Sequence, residues 1–240
     1  MNKKCTSSLI LLALASPLVN AASIGINFGS GRNNSALAAG DSAGVVPQAN
    51  WNNAPGASGN LAVLNGDEGA ASGASLTWAT DEQWSIGGPA ADPNGTLLNG
   101  WISANNSNAP DATVSIASIP YATYDLYVYT NHDRATEDVD LTGPFGTFRI
   151  HENDTDILSA VSWVQQTATA DGDASQAGNY ALFSGLTATN LDLILAPAGG
   201  EGSVDRGAIT GIQIVEVIPE PSSSLLLALA GLIGVSRRRR

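Results

Sequence analysis

The chain has 240 residues and a formal net charge of −12, with 10 lysines and arginines against 22 acidic residues and a single cysteine, Cys5. Nucleic acid is therefore excluded as a partner and an anionic membrane surface is disfavoured, because both require basic patches that displace counterions. The imbalance is sharper in the middle: residues 23–218 contain no lysine and only Arg32, Arg134, Arg149 and Arg206 against 21 carboxylates, a net charge of −17.

Residues 1–22 come first. Lys3 and Lys4 precede an apolar run over 9–14, Pro17 breaks it, and the segment ends on Ala21 and Ala22. This is the three-part layout of a secretory signal peptide. Val19 and Ala21 occupy the small-residue positions that a signal peptidase reads, which places cleavage after Ala21, with Ala22 as the alternative. The apolar stretch 9–19 falls short of the about 20 residues a spanning helix needs. Cys5 leaves with this segment, so the mature chain has neither thiol nor disulfide and must be held together by its core. The 196 residues of 23–218 suffice for one such domain.

That middle region sustains no three-to-four residue apolar spacing of the amphipathic-helix kind. Short β-branched and aromatic runs recur instead, separated by Gly, Asn, Asp, Ser and Pro. Strands are predicted at 24–28, 61–64, 76–79, 113–119, 124–130, 147–150, 161–165, 180–183, 191–195 and 209–217. The pattern predicts an all-β fold, a two-sheet β-sandwich. Residues 29–60 read as long loops. The run 124–130 carries large side chains on both faces and is expected to be central, and 209–217 closes the domain with Ile212 and Ile214 on one face around Gln213.

The opening stretch 23–29, the run 124–130 and the closing stretch 207–214 resemble the galactose-binding-like jelly rolls of many carbohydrate-binding modules. The resemblance implies a jelly-roll-like sandwich. Fold analogy alone assigns no ligand.

Five tryptophans, Trp51, Trp78, Trp84, Trp101 and Trp163, lie in this region. Trp51 stands among Asn50, Asn52 and Asn53, amides that could bond sugar hydroxyls beside an indole platform. The competing reading makes every ring core, most of all Trp78 and Trp163 in their predicted strands. Acidic residues cluster at 133–140, 152–156 and 171–173. Loop carboxylates of this kind supply oxygens to calcium, with Asp154 and Asp156 or Asp171 and Asp173 as candidate ligands, while solvated loop charge is the competing reading. No other cofactor is expected. With 21 carboxylates any glycosidase pair can be drawn, so none is informative. His132 and His151 have no zinc spacing and read as surface residues, and there is neither a G-x-S-x-G elbow nor a P-loop. The expectation is no catalytic residue and no enzyme.

After Ile218 the chain reads Pro219, Glu220, Pro221, three serines, an apolar stretch over 225–235, Ser236, and Arg237, Arg238, Arg239 and Arg240. The two prolines hold an extended segment suited to a protease groove. The apolar stretch is a short hydrophobic helix in composition, and the arginines hold its end on the cytoplasmic side. As a helix, 222–236 spans roughly 22 Å, short of the ~30 Å hydrocarbon core, which favours transient retention over a permanent anchor. This order of parts over 219–240 resembles the PEP-CTERM sorting signal of Gram-negative bacteria. The resemblance implies recognition and tail removal by an exosortase after export through the inner membrane, with signal peptidase and exosortase as partners. It further implies a cell-surface or extracellular-matrix location and association with exopolysaccharide or biofilm. The chain is thus expected to be an exported, noncatalytic surface or matrix protein, with a carbohydrate-binding module and then a polysaccharide-active enzyme as the alternatives.

Overall fold

The computed structural model describes residues 21–105, 112–132, 138–151, 155–166, 178–198 and 206–219. Its strands are, in chain order, β1 (Ser23–Asn27), β2 (Asn52–Asn53), β3 (Ser58–Leu61), β4 (Ser75–Ala79), β5 (Glu82–Ser85), β6 (Gly100–Asn105) and β7 (Ala112–Ala117). They continue as β8 (Tyr124–Tyr129), β9 (Asp138–Gly143), β10 (Gly146–His151), β11 (Tyr180–Leu186), β12 (Leu191–Pro197), β13 (Arg206–Ile209) and β14 (Gly211–Glu216). One helix, α1 (Pro93–Asn99), and a 3-10 turn at Phe28–Gly31 complete the described elements.

Two large sheets pack as a sandwich. The first has the order β11-β8-β14-β1-β2 and the second β10-β9-β12-β7-β4-β3, and a three-stranded sheet β13-β6-β5 flanks them. The opening and closing strands are neighbours: β1 pairs antiparallel with β14, Ser23 opposite Val215 and Asn27 opposite Gly211. The core between the large sheets takes Ile24, Ile26, Leu126, Val128, Ile212 and Ile214 from the first and Leu76, Val114, Ile116, Leu141, Leu193 and Leu195 from the second, all buried. Each such side chain contributes roughly 1.5–3 kcal/mol of transfer free energy. That burial stands in for disulfides.

The strand period of two explains why β8 carries large side chains on both faces. Tyr124, Leu126 and Val128 enter the inter-sheet core, while Tyr129 enters a second cluster with Leu37, Ala43, Trp51, Leu97, Leu98 and Ile157. The first sheet is therefore covered on its outer side too, by 29–51, by α1 and by 155–166. The expected central position of 124–130 holds, since β8 lies between β11 and β14.

Several strand expectations need correction. The strand placed at 61–64 is β3, at Ser58–Leu61: Gly59 sits directly under the Trp78 ring, so a residue of poor strand propensity is selected by close approach. Residues 161–165 form no strand, only a bridge between Gln165 and Tyr180, and Trp163 is held by packing. The closing run divides at Thr210, whose N–H donates to Tyr129 O at 2.8 Å, so that β13 joins the third sheet and β14 the first. Within the supposed loop 29–60, Asn52–Asn53 adds a parallel edge strand to β1. Strands β5, β6 and β9 and helix α1 were not expected. Helix α1 is capped by Asp92, whose Oδ1 accepts from Gly95 N at 2.7 Å, with Pro93 at its first turn.

Candidate functional site

Trp51 and its asparagines face inward. Trp51 is 5% exposed, its Nε1 donates to Gln48 O at 3.0 Å, and its ring lies edge-on to Tyr129 with centroids 6.0 Å apart. Gly25 of β1 is the surface it rests on, where a Cβ would come within 2.6 Å of the indole. Asn52 Nδ2 donates to Gly25 O and Asn65 O at 2.8 and 2.9 Å, and its Oδ1 accepts from Asn65 N at 2.8 Å. Asn53 Oδ1 accepts from Asn27 Nδ2 and Leu37 N, its Nδ2 donates to Leu37 O, and Asn50 Nδ2 donates to Asp67 O. The expected sugar platform is corrected accordingly: these amides staple loops to the outer face of the first sheet, and the indole fills the space beneath them.

The remaining tryptophans divide the same way, with one exception. Trp78 and Trp101 are buried, and Trp163 packs on Tyr129 with ring centroids 5.1 Å apart. Trp84 on β5 is 43% exposed, with the Arg32 guanidinium carbon 4.6 Å above its ring. The histidines are corrected in the opposite sense. Both are buried, and His132 lies 4.7 Å from Trp101, centroid to centroid.

Asp154, Asp171 and Asp173 lie outside the described residues. Among the described residues, Thr155 N donates to Asn131 Oδ1 at 2.8 Å, and Asn179 Nδ2 donates to Thr155 Oγ1 at 3.5 Å. Asp156 is occupied locally, accepting from Leu158 N and Ser159 Oγ at 2.8 Å each, and those bonds hold its carboxyl below the usual range. Among the described residues no group of three or more acidic, histidine or cysteine side chains could hold a metal ion.

Two surface depressions stand out. One, of about 280 Å³, is lined by Ala22, Asp67, Glu68 and Tyr121; burial and the nearby Asp67 and Glu216 carboxylates push the Tyr121 hydroxyl up to about 12. The other, of about 420 Å³, is bounded by Arg32, Gly56, Ala57, Asp81 and Glu82. They lie toward opposite ends of β1.

The first and last described residues share one of those ends. Ala21 and Ala22 lead into β1 half-buried, and Glu216 N donates to Ala22 O at 2.8 Å. From Glu216 the chain emerges through Val217, which donates to Thr123 O, to an exposed Pro219. Glu220, Pro221 and Arg237 to Arg240 lie outside the described residues. Among the described residues no helix is long and apolar enough to cross a membrane.

The protein is thus a β-sandwich domain whose chain runs from its central strand pair into a terminal signal. Residues 217–240 match the PEP-CTERM protein-sorting motif. The motif marks an exported, exosortase-processed chain sorted through its C-terminal segment to the cell surface. No curated protein matches the sequence. Among solved structures the chain is similar to Bacteroides uniformis beta-glucuronidase 2 covalently bound to cyclophellitol-6-carboxylate aziridine, at 9% identity and a TM-score of 0.40. A calcium binding mutant of the same enzyme gives 10% identity and a TM-score of 0.40. Each likeness covers 82% of this chain and 18% of the enzyme, so the chain spans under a fifth of that protein's length.

Proposed function

We propose that the chain is a noncatalytic cell-surface or extracellular-matrix protein associated with exopolysaccharide or biofilm. Signal peptidase releases its N-terminus, the C-terminal segment is held transiently in the inner membrane, and an exosortase removes it. The observation that supports this reading is the adjacency of the two processing points. Ala22, just before β1, and Glu216 on β14 are bonded neighbours, so both signals leave from one end of the domain and both enzymes can work at the same membrane with the sandwich folded.

Deleting residues 219–240 tests it. The expected result is an unprocessed protein lost from the cell surface; unchanged processing and location would overturn the sorting role. No organic cofactor is part of the proposal. A structural calcium at Asp154 and Asp156 or at Asp171 and Asp173 would make the unfolding temperature drop on chelation, and an unchanged temperature would remove it.

Carbohydrate binding is the second reading, favoured by the exposed indole of Trp84 at the opposite end of β1 from Ala22. A polysaccharide-active enzyme ranks last, and glycan turnover by the purified protein would restore it.

A further inference from the structure

We propose that Arg32 and Trp84 form a docking site for a neutral polysaccharide chain, an inference that rests on the carbohydrate-binding reading. Strand β5 is an edge strand of the three-stranded sheet, and Trp84 and Ile86, two residues apart, are 43% and 36% exposed. The other indoles serve the interior or, for Trp163, an aromatic cluster. Large aromatic surface is normally taken from water, so an indole left open on a rigid strand is available for a partner.

The cation beside it is prepositioned. Arg32 Nε donates to Gln83 O at 2.8 Å, and Gln83 is itself buried, with its Nε2 donating to Phe28 O at 2.6 Å. Arg32 N donates to Gly29 O at 3.0 Å, closing the 3-10 turn that carries it. The guanidinium is thereby held over Trp84, and among the described residues no carboxylate pairs with it. Its terminal nitrogens can donate to a ligand with little further loss of side-chain freedom.

The depression next to it is open and is lined by Gly31, Arg32 itself, Gly56, Ala57, Asp81, Glu82 and Gln83. The part of the indole that Arg32 leaves exposed offers apolar surface to the C–H face of a sugar ring, and the guanidinium donates to its oxygens. An open cleft suits a unit within a chain better than an enclosed small molecule. Neutrality follows from charge: a domain of net charge −17 repels a polyanion. Placement agrees with this use. Strand β1 runs from Ser23, next to the processing points, to Asn27, and the Phe28–Gly31 turn then delivers Arg32. Arg32 therefore follows the end of β1 opposite Ala22.

The test uses the exported, processed protein with cellohexaose and mannohexaose as neutral probes and polygalacturonate as the acidic one, followed by calorimetry and tryptophan fluorescence. Saturable binding of a neutral probe is expected, weakened about tenfold, the equivalent of about 1.4 kcal/mol, by Trp84→Ala and also weakened by Arg32→Gln, with the unfolding midpoint unchanged in both. No binding of either neutral probe, equal affinity in Trp84→Ala, or binding of polygalacturonate alone would each overturn the site. Surface delivery of the same variants separates the two levels: loss of glycan binding with normal delivery removes this site and leaves the sorting role standing.

Discussion

Ala22 and Glu216 are joined by a backbone hydrogen bond of 2.8 Å, the last rung of the β1–β14 ladder before the chain departs in both directions. The strands on either side of that rung are interior to the first sheet, so its residues are structural while what lies beyond them is dispensable to the fold. Removing residues 219–240 is expected to leave the urea unfolding free energy within about 0.5 kcal/mol, as for changes away from the core. Removing residues 22–27 strips Ile24 and Ile26 from the core, leaves β2 without a partner and turns β14 into an edge strand paired with β8 alone, and is expected to abolish cooperative unfolding. Equal stability of the two truncations would contradict the central position of β1.

Tyr129 ties the outer cluster to the sheet. Its hydroxyl donates to Gln213 Oε1 at 2.7 Å and accepts from Val45 N at 2.9 Å, while Gln213 Nε2 donates to Val46 O and Gln48 Oε1. Tyr129→Phe strands the buried Gln213 Oε1 and the part-buried Val45 N–H and is expected to cost about 1–3 kcal/mol.

Alkaline pH probes the same group. Burial pushes the Tyr129 hydroxyl far above its ordinary value of 10.0, and Tyr121 rises to about 12. Above about pH 10 the unfolded chain releases these protons while the folded one retains them, so the folded state binds more protons and stability falls as pH rises. The contribution is fully present below pH 10 and is lost as pH climbs through 12 and beyond. Urea midpoints across that window should fall, with a shallower decline in Tyr129→Phe and in Tyr121→Phe.

What the sequence disclosed and what it hid divide along one physical line. Strands β8, β12 and β14 were legible because β-branched and aromatic residues with a period of two record burial directly. The strands at Ser58–Leu61 and Asn52–Asn53 were not, since glycine and asparagine are there for close approach and for side-chain bonds to backbone that only the partner segment reveals. Helix α1 has seven residues, under two turns, too few to establish a helical period. The sorting segment was legible because its chemistry lies in consecutive residues. The surface site was not: Arg32 and Trp84 are far apart in sequence, and exposure distinguishes Trp84 from Trp51 only once the loops are in place. One signal was available: Trp84 sits among Glu82, Gln83 and Ser85, a polar run atypical of an interior strand.

Glycine contacts set a second stability test. Gly29 and Gly100 cross backbone to backbone, and a Cβ on either would overlap the main chain of the other. Backbone cannot rotate away as a side chain can, so Gly29→Ala or Gly100→Ala is expected to cost at least about 3 kcal/mol, the upper range of overpacking. Gly40→Ala, which meets nothing within 4 Å, should be near neutral. Chemical denaturation of the three variants checks the ranking.

Asn52 separates a structural amide from a recognition amide. Its three bonds to Gly25 and Asn65 hold the 63–66 turn against β1, and Asn52 is buried at 9% exposure. Asn52→Ala leaves the buried Gly25 carbonyl and the part-buried Asn65 carbonyl and N–H without their partner and is expected to destabilise the domain by about 1–3 kcal/mol. Trp51→Ala, which empties the space over Gly25 and beside Tyr129, is expected to cost about 3–5 kcal/mol. Both losses should appear in unfolding curves, with glycan affinity unchanged in whatever fraction remains folded. A variant at either position that kept full stability but lost glycan binding would return the ligand site to Trp51 and its asparagines.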